Sequence, residues 1–255
     1  MTIRIESAVF SYARTPVLND ISFSIDTGNF CAILGSNGSG KTTFLKCINK
    51  LIELDSGSIS IDGSDISELT HNEISKLVSY VPQEHDNIAP YSVLEMVVMG
   101  TTPHLGVAQT PSAQHYELAR NTLASLDALH LENKFFNQIS GGERQIVIIA
   151  RSLVQQSPII ILDEPSNHLD FSRKALLLKL LKKVCIEQNK TIITTTHDPN
   201  LISSLADYVV MLKNGQIFYE GKPDVGLTSQ NLSNVYDVNV GCHTTENGKV
   251  FFYSD

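Results

Sequence analysis

A glycine-rich loop, set between a short apolar run and the start of a helical pattern, constrains the fold of this chain more than any other feature. The loop matches the pattern G-x-x-x-x-G-K-[ST] and has the sequence Gly35-Ser36-Asn37-Gly38-Ser39-Gly40-Lys41-Thr42. The apolar run, Phe30–Leu34, is typical of a parallel strand buried on both faces. A helix is expected to begin near Lys41. Strand, loop and helix in this order predict an α/β fold with an anion site at the helix N-terminus.

The residue types of the loop suit a chain of phosphate groups. Gly35, Gly38 and Gly40 allow the backbone to turn with its N–H groups pointing inward. Phosphate oxygens would meet those donors and the positive end of the helix. Lys41 would reach the β- and γ-phosphates, and the Thr42 hydroxyl would ligate Mg²⁺. The alternative, a glycine-rich turn without a ligand, is negligible in this strand and helix context.

Two adjacent carboxylates follow another apolar run. Ile159–Leu162 is expected to be a buried parallel strand, and Asp163 and Glu164 come directly after it. Ligands of parallel sheets bind outside the carboxyl ends of the strands, so both side chains are expected where the phosphate loop opens. Asp163 would be the Mg²⁺ partner, and Glu164 would orient or deprotonate a water that attacks the γ-phosphate. Alone, this pair fits a solvated turn equally well, but with the loop the catalytic interpretation leads.

Two further polar side chains follow short runs of β-branched and apolar residues. His197 ends the run Thr191–Thr196, which predicts a third strand of the core sheet. A lone histidine is more often a structural or surface residue, but this one falls at the same predicted edge as the loop and the carboxylates. Gln83 follows Tyr80-Val81-Pro82 and carries no signal by itself.

Apolar alternation in the first third of the chain predicts a second sheet. Strict alternation is typical of antiparallel strands with one solvated face, and this sheet is expected to form a layer beside the main one. The alternating residues are Ile3, Ile5, Ile21, Phe23, Ile25, Ile59 and Ile61.

The middle of the chain has helical spacing of its apolar residues. Residues 91–156 follow this pattern, with a helix expected over 143–156, and a further helix is expected over 175–185. The helix expected over 143–156 directly follows Ser140, Gly141 and Gly142. These three residues would form an anion site at its N-terminus. The tail after residue 221 has an ambiguous pattern and is assigned no function.

Composition excludes several classes of protein. The 255 residues include 19 Lys and Arg against 27 Asp and Glu, a net charge of −8, so a nucleic-acid partner would lose its main electrostatic driving force. The cysteines lack metal-site or redox spacing and are expected to be buried thiols in a reducing compartment; they are Cys31, Cys47, Cys185 and Cys242. Residues 1–10 lack the pattern of a signal peptide, and no apolar run approaches the ~20 residues that cross a bilayer.

The order of these motifs resembles one family. Residues 139–145, Ile-Ser-Gly-Gly-Glu-Arg-Gln, are similar to the signature sequence of ATP-binding-cassette (ABC) ATPases. The family's order of motifs is present as Tyr12, the phosphate loop, Gln83, the signature, Asp163-Glu164, the turn Ser166-Asn167-His168-Leu169-Asp170, and His197. The resemblance covers about residues 3–225, and its motifs are highly specific in combination. The chain departs from the family's usual Leu, Gln and Ser at Ile139, Glu143 and Asn167.

The resemblance implies a fold and a domain organisation. The fold is a P-loop NTPase core of the RecA-like α/β type, with an antiparallel β layer and an inserted α-helical subdomain. One ABC ATPase domain would span residues 1–255. Its nucleotide-binding core would comprise 1–90 and 157–225, its helical signature subdomain 91–156, and its C-terminal extension 226–255.

The resemblance also implies a dimer and a set of residue roles. In the family, ATP lies between the phosphate loop of one subunit and the signature of the other in a head-to-tail homodimer. Contacts to ATP would come from Tyr12, Gly35, Ser36, Asn37, Gly38, Ser39, Gly40, Lys41, Thr42, Thr43, Ser140, Gly141, Gly142 and Asp170. Ligands for the second cofactor, Mg²⁺, would be Thr42, Gln83 and Asp163. The catalytic residues would be Glu164, His197 and Gln83. Tyr12 would stack on adenine, Asp170 would communicate across the dimer, and His197 would hold the γ-phosphate.

Within this family the chain most resembles ATPase subunits of importers for metal chelates, such as iron-siderophore, haem, cobalamin and, in some relatives, molybdate. The similar stretches are residues 93–100 with Pro103-His104, 139–145, 167–170 and 232–240. This resemblance implies a peripheral subunit that would hydrolyse MgATP at the cytoplasmic face of the inner membrane. It would dock on a separate integral membrane permease and work indirectly with a substrate-binding protein, without a nucleic-acid partner.

Two other functions are compatible with an ABC ATPase. One is a soluble, non-transport ATPase that acts on ribosomes or DNA. Such relatives usually carry two cassettes or long coiled-coil insertions, and the acidic charge balance also disfavours this function. The other is a nucleotide sensor without turnover, which the presence of both Glu164 and His197 disfavours. The transport-coupled ATPase is therefore the leading hypothesis.

Overall fold

The structure of the protein, a computed structural model, describes residues 2–83, 90–106, 108–167, 169–246 and 249–254. The chain forms two compact units, one made of residues 1–69 and 191–255 and the other of residues 70–190. The nucleotide-binding core and the helical subdomain expected from the sequence have other limits than these two units. Those expected limits stay a prediction.

The elements among the described residues run in the following order. The strands are β1 (Thr2–Tyr12), β2 (Thr15–Asp26), β3 (Phe30–Leu34), β4 (Ser56–Ile61), β5 (Ser64–Asp65), β6 (Val78–Val81), β7 (Ile159–Leu162), β8 (Thr191–Thr196), β9 (Tyr208–Lys213), β10 (Gln216–Gly221), β11 (Val240–Thr244) and β12 (Val250–Ser254). The α-helices are α1 (Lys41–Ile48), α2 (His71–Leu77), α3 (Val93–Val98), α4 (Ala113–Ser125), α5 (Gly141–Val154), α6 (Phe171–Glu187), α7 (Pro199–Ile202), α8 (Pro223–Gly226) and α9 (Ser229–Tyr236). Short 3₁₀ helices cover Ile66–Glu68, Met99–His104, Leu129–Leu131 and Phe136–Gln138.

In the first unit, the alternation of apolar and polar residues builds an antiparallel sheet. β1 pairs with both β2 and β4, and β5 completes the order β2-β1-β4-β5. Ile3 is paired with Ile25 on one side and with Ile61 on the other, and all three side chains are buried. Because successive side chains point to opposite faces of a strand, the residues between them face away from this core. The predicted antiparallel layer is confirmed.

β3 is the centre of the second sheet of this unit. Its residues are all buried, and it pairs in parallel with β8 on one side and with β9 on the other. β10 continues the sheet antiparallel to β9. The register joins Leu34 of β3 to Thr196 of β8, so both strands end at the same edge. The predicted strands Phe30–Leu34 and Thr191–Thr196 are confirmed.

The C-terminal extension contributes to the core of the first unit. A hydrophobic cluster joins residues from β3, β9, α7, α9 and β12, and its members are Ala32, Leu34, Ile202, Val209, Met211, Leu227, Leu232, Val235 and Phe252. Leu232 and Phe252, both buried, come from the segment to which the sequence assigns no function. Burial of each such side chain contributes roughly 1.5–3 kcal/mol. The extension is therefore an integral part of this unit.

The second unit is mainly helical and contains one pair of parallel strands, β6 and β7. β7 coincides with the predicted strand Ile159–Leu162 and is buried at every position. Helices α3, α4 and α5 pack against one another. The helical pattern predicted for residues 91–156 is therefore present in this unit.

Two helices of this unit begin earlier than residue spacing predicts. α5 begins at Gly141, two residues before the predicted start, because Ser140 caps its N-terminus and exchanges hydrogen bonds with Glu143 in a capping box. α6 begins at Phe171, four residues early, since the Asp170 carboxylate accepts a hydrogen bond from the backbone of its first turn. Gly141 and Gly142 thus lie in the first turn of α5 and not before it. Apolar spacing marks the buried face of a helix, and therefore misses an exposed first turn.

The cysteines form two classes. Cys31, Cys47 and Cys185 are buried, as predicted, whereas Cys242 is exposed, so the prediction was wrong for this thiol. Cys242 lies on β11, whose last three residues are all exposed. Burial raises the pKa of the Cys31 thiol, and it raises that of Cys47 to about 12. Because the thiolate is the reactive form, these buried thiols are shielded in the folded protein.

We therefore expect one fast-reacting thiol in the folded protein. Ellman's reagent should react quickly with Cys242, and with the three buried cysteines only after unfolding in denaturant. The variant Cys242→Ser should lack the fast phase, whereas Cys185→Ser should keep it. A second fast thiol in the native wild-type protein would contradict the burial described above.

Candidate functional site

The glycine-rich loop follows β3 directly and leads into α1. Lys41 begins the helix and is buried, and its Nζ donates to the carbonyl oxygens of Gly35 at 2.8 Å and Ser36 at 3.0 Å. Gly40 stands at the N-cap, and among the described residues no side chain caps α1 and no acidic residue lies in its first turn. Helix amides without a side-chain cap, together with a buried ammonium group, attract an anion.

Two glycines of the loop are required by close backbone contacts. A Cβ on Gly35 would lie 2.5 Å from the carbonyl oxygen of Leu212, and a Cβ on Gly40 would lie 3.0 Å from that of Val17. A Cβ on Gly38 would meet no atom within 4 Å, but its φ of +79° favours glycine. The loop therefore packs closely on the backbones of β2 and β9, which set its shape.

A turn between β9 and β10 also contacts the loop, and motif analysis missed it. The Gly215 N–H donates to the Ser39 carbonyl at 3.3 Å, and the Gly215 carbonyl accepts from the Asn19 N–H at 2.8 Å. A Cβ on Gly215 would lie 2.3 Å from the Val17 carbonyl oxygen. The dipeptide Asn214-Gly215 is a hairpin-turn signal, but nothing in the sequence connects that turn to the loop.

β8 brings His197 to the same sheet edge as the loop. Because Leu34 and Thr196 are paired in register, Gly35 and His197 leave neighbouring strands at the same level. The His197 side chain is exposed. The predicted meeting of the loop and His197 at one edge is therefore observed within the first unit.

The other predicted nucleotide contacts of this unit lie near the ends of elements. Tyr12 is the last residue of β1, and 48% of its surface is exposed. Thr42 is half-buried in the first turn of α1, and Thr43 beside it is buried. A half-exposed aromatic ring presents an apolar face to a planar ligand, and the Thr42 hydroxyl is an oxygen donor at the start of the helix.

In the second unit, β6 and β7 bring polar side chains to one edge. Val81 and Leu162 are paired at the ends of these strands, Gln83 follows the first, and Asp163 and Glu164 follow the second. Asp163 is buried, with 1% of its surface exposed, and its backbone N–H donates to the Val81 carbonyl at 2.9 Å. Within this unit, Gln83, which the resemblance assigns to Mg²⁺ together with Asp163, lies at the same edge as the two carboxylates.

Two side-chain amides hold the Glu164 carboxylate. Gln83 Nε2 donates to Glu164 Oε2 at 3.3 Å, and Asn167 Nδ2 donates to the same oxygen. Glu164 has φ +47°, a left-handed conformation that is uncommon for a residue other than glycine and that concentrates at functional sites. The contact of Asn167, one of the departures from the family pattern, could not be inferred from the sequence.

The signature segment is an exposed helix start. The Ser140 N–H and Oγ–H donate to Glu143 Oε2 at 2.8 and 2.7 Å. The hydrogen bond from the Ser140 side chain, followed by that from its backbone, lowers the pKa of Glu143. Ser140 and Gly141 are exposed, and a Cβ on Gly141 would meet no atom within 4 Å. Glu143 therefore holds both donors of Ser140, and the exposed helix start presents the backbone N–H groups of the first turn of α5.

Asp170 begins α6 as its N-cap. Its Oδ1 accepts hydrogen bonds from the Arg173 N–H at 2.9 Å and the Ser172 hydroxyl at 2.7 Å. These bonds, the one from the Arg173 backbone first, lower the pKa of Asp170. His168, in the turn before Asp170, lies outside the described residues.

The motifs of this chain also occur together in a known protein family. Residues 18–167 match the family model of the ABC transporter, which is more than half of the chain. The chain belongs to the ABC transporter family. It is therefore an ATP-binding cassette with ATPase activity, as the resemblance of its motifs implied.

The cassette is similar along nearly its whole length to named ATP-binding proteins. It is 37% identical over 238 residues to the "Probable iron chelatin transport ATP-binding protein" of Helicobacter pylori (strain ATCC 700392 / 26695), covering 93% of each chain. It is 31% identical to the petrobactin import ATP-binding protein YclP of Bacillus subtilis (strain 168), covering 98% of this chain and 99% of the relative. It is 32% identical to the molybdate import ATP-binding protein MolC of Haemophilus influenzae (strain KW20 / Rd), covering 92% and 87%.

Solved structures confirm the fold of the cassette. An inward-facing transporter described as of the metal-chelate type matches it with a TM-score of 0.86 and 27% identity, over 100% of this chain and 97% of the other. A dimeric ATP-binding cassette bound to ADP and Pi matches with a TM-score of 0.78 and 27% identity, over 87% and 98%. Within the described part of the cassette, no helix is both long enough and apolar enough to span a bilayer.

The contact of Gly215 with the loop leads to a prediction. Gly215→Ala should weaken ATP binding by about tenfold, equivalent to about 1.4 kcal/mol, because the new methyl group must displace the backbone that shapes the loop. Gly63→Ala is the matched control, since Gly63 also has a positive φ but no atom within 4 Å of its would-be Cβ. Affinity for a fluorescent ATP analogue measures both. Equal affinities in the two variants would show that the Gly215 turn does not support the loop.

Proposed function

We propose that this cassette is the MgATP-hydrolysing subunit of an importer for a metal chelate or a related oxyanion such as molybdate. The observation that carries ATP hydrolysis is the buried Lys41 ammonium on a loop that shares its sheet edge with His197. Import is supported by similarity over nearly the whole chain to ATP-binding proteins named for iron chelatin transport, petrobactin import and molybdate import.

ATP binding would rest on the first unit. The Lys41 ammonium and the amides at the start of α1 supply positive charge and N–H donors for the β- and γ-phosphates. The exposed ring of Tyr12 would stack on adenine. Further contacts to the phosphates would come from Gly35, Ser36, Asn37, Gly38, Ser39, Gly40, Thr42 and Thr43.

The residues assigned to Mg²⁺ have suitable chemistry. The Thr42 hydroxyl, the Asp163 carboxylate and the Gln83 side-chain carbonyl are oxygen donors, which Mg²⁺ prefers. The Gln83 side-chain nitrogen, Nε2, donates to Glu164. The side-chain oxygen of Gln83 is therefore the atom that would bind Mg²⁺. When bound, Mg²⁺ would neutralise charge on the β- and γ-phosphates.

The hydrolysis step would use Glu164 and His197. Glu164 would orient and deprotonate the attacking water, and Gln83 and Asn167 hold its carboxylate in place for that task. The His197 side chain would contact the γ-phosphate as charge develops on it. Both groups would act on the same ATP as the phosphate loop, as the order of the family's motifs implies.

We further propose that two copies of the chain pair head to tail around ATP. The start of α5, with Ser140, Gly141 and Gly142, would bind the triphosphate held by the loop of the other copy, and Asp170 would carry signals between them. A dimeric cassette bound to ADP and Pi supports this arrangement. The dimer would dock, from the cytoplasmic face of the inner membrane, on a separate integral permease that receives its cargo from a substrate-binding protein.

The role of Glu164 can be tested by an isosteric change. Glu164→Gln should lower the rate of ATP hydrolysis by about a hundredfold or more, since the general base is lost while Gln83 and Asn167 can still contact the side chain. ATP affinity should be retained, and the ATP-bound dimer should accumulate in size-exclusion chromatography. Lys41→Ala is the contrasting control, in which nucleotide affinity itself should fall. Rapid turnover by Glu164→Gln would remove Glu164 from its role.

The shared site can be tested at the signature. Ser140→Arg should block closure of the ATP-bound dimer and abolish most hydrolysis, while a single chain still binds ATP. The matched control is Thr70→Arg, because Thr70 is also an exposed N-cap that exchanges hydrogen bonds with a glutamate in a capping box, on α2. Both changes remove a cap at a cost of about 1 kcal/mol, so a loss of dimer specific to Ser140→Arg is not a loss of helix stability. An unchanged ATPase rate in Ser140→Arg would contradict the head-to-tail geometry.

A further inference from the structure

The C-terminal β-hairpin, formed by β11 and β12, is fastened to the segment that follows His197. Asn200 lies in α7, three residues after His197. Its Nδ2 donates to the Phe252 carbonyl at 3.0 Å, and its Oδ1 accepts from the Phe252 N–H at 2.8 Å. One side-chain amide thus pairs with both backbone groups of a β12 residue, as a neighbouring strand would.

A second contact joins the same segment to the end of α9. The Tyr236 hydroxyl donates to the carbonyl oxygen of His197 at 3.5 Å. The first residue of β11 is tied to α9 as well, since the Val240 N–H donates to Ser233 Oγ at 2.9 Å. The backbone of His197 and the side chain of Asn200 therefore both contact the C-terminal extension.

Apolar packing anchors the hairpin at one residue. Phe252 is buried in the hydrophobic cluster that includes Leu34, the last residue before the phosphate loop, and Ile202, at the end of α7. Its neighbours Phe251 and Tyr253 are 47% and 54% exposed, as expected for alternate residues of a strand. The hairpin is thus seated on the core that carries both the loop and the segment after His197.

The surroundings of His197 on this side are open. A cavity of about 370 Å³ is lined by His197, Tyr236, Phe252 and Tyr253, together with residues of α7 and β11. The C-terminal hairpin and the segment after β8 thus line one cavity with the His197 side chain.

We propose that the C-terminal hairpin positions His197 for ATP hydrolysis, with Asn200 and Tyr236 as positioning residues. Asn200 fixes α7 to β12, and Tyr236 at the end of α9 contacts the His197 carbonyl, so the hairpin together with α9 defines where the His197 side chain leaves the end of β8. This inference rests on the proposed function, in which His197 contacts the γ-phosphate. The inference gives the C-terminal extension, residues 226–255, a role in the hydrolysis step.

Steady-state ATP hydrolysis by the full chain tests the proposal. Asn200→Ala should lower kcat by about tenfold, because misplacement of a catalytic group by a fraction of an ångström slows the chemical step, while KM for ATP should change less than about twofold. The matched control is Asn231→Ala. Asn231 Nδ2 also donates to a backbone carbonyl, that of Gly226 at 2.9 Å, but this bond joins α9 to α8 and not to the hairpin. The kcat of Asn231→Ala should equal that of the wild-type protein.

A double-mutant cycle with His197→Ala separates positioning from a general structural effect. If Asn200 acts through His197, adding Asn200→Ala to His197→Ala should cause no further loss of kcat. Should Asn200→Ala fold poorly, Phe252→Leu replaces it: the residue stays apolar, the seat of the hairpin loosens, and the same dependence on His197 is expected.

The outcomes distinguish the two proposals. Wild-type turnover by His197→Ala would overturn the role of His197 in the proposed function. An impaired His197→Ala together with wild-type kcat in Asn200→Ala and Phe252→Leu would overturn only the positioning role of the hairpin. The hairpin proposal also fails if Asn200→Ala lowers kcat by the same factor with and without His197.

Discussion

The parallel pairing of β3 with β8 is the constraint on which the nucleotide-binding unit depends. β3 is buried at every position and lies between β8 and β9, so its backbone groups find their hydrogen-bond partners in the sheet. The end of β3 cannot shift without breaking this register. Because Leu34 is paired with Thr196, the same register carries both the phosphate loop and His197 to one edge. A change within the strand would therefore displace together the two groups to which we assign contacts with the phosphates.

The buried strands and the loop could be predicted because their signals are local. Phe30–Leu34, Ile159–Leu162 and Thr191–Thr196 are short runs of β-branched and apolar residues that end at glycine or polar residues, and the strands have the same limits. The rule that ligands meet parallel strands at their carboxyl ends predicted that the loop, the two carboxylates and His197 follow strand ends at the binding edge, whereas Gln83 was assigned only by the family resemblance. The loop and His197 leave paired strands at one level in the first unit, and Gln83 and the carboxylates follow paired strands in the second.

The remaining features depend on contacts between residues that are distant in the sequence or on single capping side chains. Gly215 bonds to the loop, and Asn200 bonds to Phe252, and neither pair has a sequence pattern that links its members. The start of α5 is set by Ser140, whereas apolar spacing records only the buried face of the helix. The exposure of Cys242 follows from the position of β11, which composition does not encode.

Neutral amides hold the two groups to which we assign the hydrolysis step. Gln83 and Asn167 donate to Glu164, and Asn200 fastens the segment after His197. Amide side chains do not titrate, so these donors are the same at every pH at which the protein is folded.

The signature differs, because its capping box relies on an ionised Glu143 whose pKa is lowered by hydrogen bonds from Ser140. Folding stabilises that ionised form, so the contribution is present at neutral pH and is lost as the pH falls through the lowered pKa. Acid therefore weakens the start of α5 while the amide donors stay unchanged.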